Sequence, residues 1–90
     1  GKTEVALRAA YMAVSNGKQV AVIVPTTLLC RQHFQTFRQR FHAFPYRVEQ
    51  LSRLVKSKDA TNIKKDLESG DVHIVIATQA ILANDVRFKD

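Results

Sequence analysis

The first three residues, Gly1-Lys2-Thr3, have the types and order needed to hold a phosphate chain. They match the last three positions of the phosphate-binding loop, whose full pattern is G-x-x-x-x-G-K-S/T. In such a loop the lysine lies against the β- and γ-phosphates, the hydroxyl binds Mg²⁺, and the following helix offers free N–H groups. We therefore predict that Gly1, Lys2, Thr3 and Glu4 bind a nucleotide, with Lys2 and Thr3 catalytic and Thr3 the Mg²⁺ ligand. The tripeptide alone matches by chance in roughly one chain of this length in twenty, so the remaining sequence must support it.

The composition predicts one small globular domain with an anionic partner. The chain has 90 residues, of which 46% are hydrophobic and 24% charged, and its formal net charge is +6. Such an excess of positive charge suits a polyanion such as nucleic acid. Cys30 is the single cysteine, which excludes an internal disulfide and fits a reducing compartment. The longest fully apolar run, Val20 to Val24, is far shorter than a bilayer span, so we expect a cytoplasmic protein without a membrane partner.

The first third of the chain predicts a helix followed by a strand. Residues Thr3 to Ser15 are good helix formers with apolar positions on two faces, which indicates a helix buried on several sides. Asn16-Gly17 ends this helix. Gln19 to Val24 is a continuous β-branched run, typical of a strand that is covered on both faces.

An amphipathic helix follows, from Leu28 to about Phe44, capped by Thr26 or Thr27 and ended by Pro45. The alternating segment Tyr46 to Leu51 predicts a half-exposed strand near a sheet edge. The apolar stripe of the helix, which we expect in the core rather than in base stacking, consists of Cys30, Phe34, Phe37, Phe41 and Phe44.

The last third predicts a helix, a second buried strand and a short helical turn. The helix begins at Ser57 or Asp59, ends at Gly70 and directs Ala60, Ile63 and Leu67 inward. The strand covers residues 72–77, the turn covers residues 78–82, and residues 86–88 lead out. Alternation of helices and strands with short connections predicts an α/β fold with an open parallel sheet, helices on both faces and at least one strand missing before residue 1.

Polar clusters follow each of the three predicted strands. Ligands of open parallel sheets bind beyond the carboxyl ends of the strands, so these clusters should meet on one edge. Hydroxyls, an arginine and helix N-termini suit sugar-phosphate contacts and carry no base code. The competing interpretation is that the threonines are N-caps and the second cluster a solvated loop. The clusters are Pro25-Thr26-Thr27, Ser52-Arg53 and Thr78-Gln79.

These segments resemble the motifs of superfamily 2 helicases of the RecG-like branch over essentially the whole chain. Residues 1–10 resemble motif I and its helix, residues 24–29 motif Ia, residues 76–79 motif Ic, and residues 86–90 the approach to the Walker B box. Leu51-Ser52-Arg53 resembles motif Ib of the transcription-coupled repair translocases in that branch, whereas RecG proper usually has a Thr-Gly pair there. Ala77 and Gln79 depart from the family, which usually has glycine and histidine at these positions.

The resemblance implies that residues 1–90 are part of the first RecA-like, P-loop ATP-binding motor domain, from the end of the P-loop to just before the Walker B box. It implies an ATP hydrolase that translocates on double-stranded DNA, displaces stalled RNA polymerase and recruits excision-repair proteins through regions outside this chain. Lys2 would contact the phosphates of ATP and Thr3 the Mg²⁺, while the three strand-end clusters would line the DNA track: Pro25, Thr26, Thr27, Ser52, Arg53, Thr78 and Gln79.

Two other functions stay open at this point: a RecG-type fork-remodelling helicase, and a P-loop kinase or nucleotide-binding module without a nucleic acid partner. The ninety residues alone are expected neither to hydrolyse ATP nor to move on DNA. We expect Cys30 to be an inert packing residue and the basic face of the third helix to be solvated. The histidines His33, His42 and His73 suggest no metal site.

Overall fold

The computed structural model describes residues 2–82 and residue 88, with the side chains of Lys2, Thr3 and Leu82 outside that description. Gly1 and most of the predicted approach to the Walker B box therefore lie outside the described residues. The elements are α1 (Lys2–Ser15), β1 (Val20–Val24), α2 (Thr27–Arg40), β2 (Val48–Leu51), α3 (Ser57–Ser69), β3 (Ile74–Thr78) and α4 (Gln79–Leu82).

The three described strands form one parallel sheet in the order β1-β3-β2. Val20 and Val48 both stand opposite Ile74, so all three strands begin at the same level. The α/β fold with an open parallel sheet is thereby confirmed, as is the position of β2 at a sheet edge. Because parallel strands share one direction, the segments after Val24, Leu51 and Thr78 leave from a common carboxyl edge.

Two apolar clusters on opposite faces of the sheet hold the helices in place. One contains Leu7, Ala10 and Val14 of α1 with Cys30 and Phe37 of α2 and with Phe41, the residue directly after α2. The other contains Ile63 and Leu67 of α3 with Leu51, Val75 and Ala77. The central strand β3 is fully buried from Ile74 to Ala77, because it has a strand on either side and helices on both faces.

Helix α2 ends four residues earlier than the sequence predicts. The Phe41 N–H closes the helix by bonding to the Phe37 carbonyl at 2.9 Å, and residues 41–45 form turns. Phe41 itself is buried, and Pro45 disfavours helical geometry at Phe44, the residue before it. The helix therefore stops where the chain turns its aromatic side chain into the core.

Helix α3 agrees closely with the prediction. It begins at Ser57 and ends at Gly70, whose φ of 92° is the left-handed conformation that glycine adopts without a steric penalty. The side chain of Gln19 ties this end of α3 to the sheet, since its Nε2 donates to the carbonyls of Leu67 and Val72 at 2.9 and 2.7 Å. These bonds join the chain segments that enter β1 and β3.

The predicted coverage of α1 and β1 is wrong within the described residues. Ile23 is 54% exposed and Ala21 is also exposed, so one face of β1 is open, and Val5 and Met12 of α1 are exposed as well. The reason is that α1 and α2 pack on one face of β1 only, whereas β3 is covered on both. None of the helices that the structure describes has the length and apolarity required to cross a bilayer.

Candidate nucleic-acid interface

A cavity of about 510 Å³ opens at the carboxyl edge of the sheet. It lies where β1 and β3 end and where the loop after β2 turns back over the edge. Residues from all three predicted clusters therefore meet around one space, as the parallel arrangement predicts. The predicted residues that line it are Pro25, Thr26, Thr27, Arg53 and Thr78.

Thr26 serves as the N-cap of α2. Its backbone is extended, with φ −132° and ψ 156°, and its Oγ1 accepts the Leu29 N–H at 3.1 Å. The capping interpretation of this residue is thus correct, but it does not exclude an anion contact. A hydroxyl that accepts a backbone N–H keeps its own proton as a donor, and the helix N-terminus behind it favours negative charge.

The pair Ser52-Arg53 divides into a buried and an exposed residue. Ser52 is only 4% exposed, and its Oγ accepts the Leu54 N–H at 3.3 Å while its carbonyl accepts the Val55 N–H at 3.0 Å. These bonds form the turn that presents Arg53, which is exposed and lines the cavity. In this conformation Ser52 shapes the loop, and the guanidinium of Arg53 is the group that an anion would meet.

Thr78 and Gln79 lie at the end of the central strand. Thr78 is half-buried and lines the cavity, and Gln79 is exposed as the first residue of α4. Ala77, which replaces the family's usual glycine, pairs with Ile23 on one side and Leu51 on the other, and it is buried among the apolar side chains of the α3 face. A regular strand needs no glycine, so the methyl group is accommodated as part of the core.

Three lining residues were missed by the sequence analysis: Leu28, Ala80 and Ile81. Leu28 is 65% exposed although it is a large apolar side chain at the start of α2. Each of the three lies within a few residues of a predicted cluster, so the clusters could have been widened. Their residue types carry no polar signal that would have singled them out.

The amino end of α1 is oriented to suit a phosphate chain. Helix α1 packs against β1 and joins it through the turn at residues 16–19, so the two run in opposite directions and the first turn of α1 points toward the carboxyl edge. The N–H groups of a helix's first turn have no partner within the helix and attract anions. Such backbone donors are the groups that phosphate chains bind, and the nucleotide contacts assigned to Gly1, Lys2, Thr3 and Glu4 stay predictions.

Glu4 directs its carboxylate away from this helix end. Arg40, in the last turn of α2, donates to the two carboxylate oxygens at 2.6 and 3.0 Å. These hydrogen bonds, and the positive charge of Arg40, lower the pKa of the Glu4 carboxyl below its ordinary value. A contact of Glu4 with nucleotide would therefore use its backbone N–H.

Cys30 is a packing residue. Its thiol is fully buried and donates to the Ile76 carbonyl at 3.2 Å, with Leu51 O at 3.8 Å. Burial raises the pKa of the thiol, which keeps it protonated and unreactive.

The histidines form no metal site among the described residues. Within residues 2–82 no group of three or more potential metal ligands lies together. The Nδ1 atom of His73 accepts the Arg47 N–H at 3.0 Å.

The sequence profile of DEAD/DEAH box helicases matches residues 1–90. Curated relatives named transcription-repair-coupling factor are 52% identical in Escherichia coli K12, 51% in Haemophilus influenzae and 49% in Bacillus subtilis, in each case over the whole chain. The chain spans 8% of the length of these relatives.

The fold is also found in a solved structure. The Mycobacterium smegmatis helicase Lhr bound to ssDNA and AMP-PNP superposes with a TM-score of 0.70 at 16% identity, covering 87% of this chain and 10% of that one. The α/β sheet is therefore an incomplete RecA-like fold of the kind found in helicase motors. The profile match over all 90 residues shows that this chain belongs to the DEAD/DEAH box helicase family.

Proposed function

We propose that the chain is part of an ATP-driven motor that translocates on double-stranded DNA. The observation that carries the proposal is the cavity at the carboxyl edge, where Thr26, Arg53 and Thr78 come together from three separate segments. Hydroxyl donors, a guanidinium and the start of α2 provide contacts for a phosphate backbone without reading bases. A motor that moves along DNA needs such sequence-independent contacts, because it must grip every position equally.

We further propose that the motor acts in transcription-coupled DNA repair by displacing stalled RNA polymerase. The support is the name shared by relatives about half identical to this chain, transcription-repair-coupling factor. Contacts with RNA polymerase and with excision-repair proteins would belong to regions outside these 90 residues. This function is proposed for the whole protein. The 90 residues would contribute part of the nucleotide-binding site, at the start of α1, and part of the DNA-binding surface, at the carboxyl edge of the sheet.

The nucleotide end would use the first turn of α1. Lys2 would hold the β- and γ-phosphates of ATP, Thr3 would hold Mg²⁺, and the free backbone N–H groups would complete the cradle. Bound MgATP supplies a γ-phosphoryl group for transfer to water, and the protein contributes placement and charge neutralisation. Because α1 and the cavity share the carboxyl edge, a shift of α1 relative to the sheet would reach the DNA contacts directly.

The ninety residues alone are proposed to be inactive. No two acidic residues are adjacent anywhere in the sequence, so it has no acidic pair of the kind that holds Mg²⁺ and orients water. Phosphate release from ATP by the purified chain should therefore equal the blank, with or without duplex DNA. Turnover that survives removal of contaminating ATPases would contradict this.

The DNA-facing assignment is tested by reversing the charge of Arg53. In the full-length protein, Arg53→Glu should weaken binding to a fluorescein-labelled duplex roughly tenfold and lower the salt slope of binding by about 1, equally for two unrelated sequences. Lys18→Glu is the matched control, because Lys18 is exposed in the turn before β1, at the opposite edge of the sheet. If the two variants bind DNA alike, the cavity is not part of the DNA track.

A further inference from the structure

A second groove runs along the outer edge of β2, away from the cavity described above. Its main part has a volume of about 690 Å³ and lies between α2 and α3. A smaller cavity of about 350 Å³ extends it toward the start of β2 and shares Phe34, Arg47 and Glu49 with the main part. We call the two together the edge groove. It follows the full length of the strand.

The floor of the edge groove is a strand edge whose backbone groups are unpaired within the described residues. The Arg47 carbonyl accepts the N–H groups of His73 and Ile74, so the backbone of Arg47 faces β3. Backbone groups alternate in direction along a strand, and those of Val48 and Gln50 consequently face outward. This edge presents N–H donors and C=O acceptors in the spacing that another strand would need.

The two walls of the groove differ in character. Helix α2 contributes Arg31 and Arg38, and the Arg38 guanidinium lies 5.8 Å from the centre of the Phe34 ring, which holds it beside the groove. The opposite wall combines apolar surface, from Val55 and the 68% exposed Leu54 above the buried Ile63, with three polar residues, Lys56, Asp59 and Asn62. An extended strand laid on β2 would turn alternate side chains toward these two walls.

The charges within the groove decide which chemistry suits it. Arg47 is paired with both Glu49 and Asp66, at 2.9 and 2.6 Å, so it offers no free positive charge to an occupant. On the α2 wall this leaves the two arginines as the dominant charges. An occupant with acidic residues at every second position, and apolar residues between them, would match both walls.

We propose that the edge groove binds an acidic, extended segment of a partner protein, which adds to the sheet as a fourth strand beside β2. Main-chain bonds to Val48 and Gln50 would give affinity, and carboxylates against Arg31 and Arg38 would give specificity. DNA is a poorer match, because its backbone has no donors for the outward carbonyls of Val48 and Gln50, whereas a peptide backbone offers N–H groups to them. A second copy of the chain is also a poorer match, because its own arginine wall would meet the same positive charges.

The test uses the full-length protein and a fluorescein-labelled heptapeptide that alternates valine with glutamate. Fluorescence anisotropy should show saturable binding, and a heptapeptide alternating valine with lysine should bind at least about tenfold more weakly. Arg31→Glu should weaken binding of the glutamate peptide by a similar factor. Lys18→Glu, which makes the same charge change outside the groove, should leave the affinity within about twofold.

The strand-addition geometry is tested by Gln50→Pro, which removes one outward N–H of the edge strand, where proline is tolerated. This variant should lose peptide binding with an unchanged far-UV circular dichroism spectrum. A measurement without any variant gives the same information: the glutamate peptide should slow amide hydrogen exchange at Val48 and Gln50, whose N–H groups face outward. Unchanged exchange there at saturating peptide would overturn the proposal, even if Gln50→Pro fails to fold.

Three other outcomes would also overturn it. Equal binding of the two heptapeptides would show that charge does not select the occupant. Displacement of the glutamate peptide by duplex DNA, undiminished in Arg53→Glu, would assign the groove to phosphates. Loss of peptide binding in step with dimer formation, followed by sedimentation, would assign it to a second copy.

Discussion

Val24 and Thr78 stand opposite each other as the last residues of β1 and β3. Because the two strands end at the same level, the polar segments that follow them leave the sheet side by side. Arg53 reaches the same space from the loop after β2, which ends one residue short of that level. The candidate DNA-facing cavity is therefore a consequence of strand register, not of any one motif.

Substitutions of Thr26 should separate its observed capping role from its proposed contact with DNA phosphates. Thr26→Ala removes the hydroxyl that accepts the Leu29 N–H, and we expect it to cost about 1 kcal/mol of stability and to weaken DNA binding. Thr26→Asp keeps a capping oxygen but adds a negative charge to the cavity. It should retain stability in urea unfolding and still lose DNA affinity. If Thr26→Asp binds DNA as well as the unaltered protein, Thr26 is a cap only.

The phenylalanines of the apolar stripe should contribute unequally to the stability of the fold. Phe37 is fully buried and stacks on Phe41 with ring centres 6.2 Å apart, so Phe37→Ala should destabilise the fold by about 3–5 kcal/mol. Phe44 is 43% exposed, and Phe44→Ala should cost clearly less. Urea unfolding followed by circular dichroism measures both. Equal losses would mean that Phe44 is more deeply packed than its exposure indicates.

The Glu4–Arg40 pair predicts a specific pH dependence. Because Arg40 lowers the pKa of Glu4 in the folded state, the stability from this pair is present above the ordinary carboxyl value of 4.5 and is lost as pH falls through the lowered pKa. The difference in unfolding free energy between the unaltered chain and Glu4→Gln should therefore be larger at pH 7 than at pH 3. The difference should be small throughout, since both side chains are about half exposed. A difference that grows on acidification would contradict the assigned pairing.

Cys30 should react only when the fold opens. Its thiol is buried and hydrogen-bonded, and burial raises its pKa, so iodoacetamide should label it far more slowly in native buffer than in urea. Mass spectrometry of the alkylated chain over time gives both rates. Native labelling as fast as that of the unfolded chain would mean that the core around α2 opens readily.

Hydrophobic periodicity, together with the glycines and prolines that end helices and strands, predicts much of the fold. The β-branched run at residues 20–24 predicted β1, and the phenylalanine stripe predicted α2. The glycine at residue 70 predicted the end of α3. The end of α2 was predicted four residues too late, because helix propensity continues past Arg40 and Pro45 by itself disfavours helical geometry only at the residue before it. The open face at Ile23 was not predictable, since residue type does not show what covers a strand.

The sequence predicted that the strand-end clusters meet on one edge of the sheet. It did not predict which of their residues line the cavity and which only support the backbone. Three polar clusters after three parallel strands must share an edge, which the cavity at Thr26, Arg53 and Thr78 bears out as geometry. The turn that buries Ser52 is held by local hydrogen bonds, but its orientation is set by tertiary packing. The burial of Ser52 could therefore not be predicted from the sequence. Likewise, the pairing of Glu4 with Arg40 joins residues 36 positions apart, which no local pattern reveals.

The decisive measurement for the proposed motor is ATP hydrolysis by the full-length protein as duplex DNA is added, in the unaltered protein and in Lys2→Ala. We predict that DNA raises hydrolysis in the unaltered protein, and that Lys2→Ala abolishes hydrolysis while retaining most of the DNA affinity, because Lys2 is proposed to contact phosphates of the nucleotide and not of DNA. Hydrolysis that persists in Lys2→Ala would contradict the phosphate-binding assignment. If duplex DNA leaves the rate of ATP hydrolysis by the unaltered protein unchanged, the proposal of a DNA-dependent motor is contradicted.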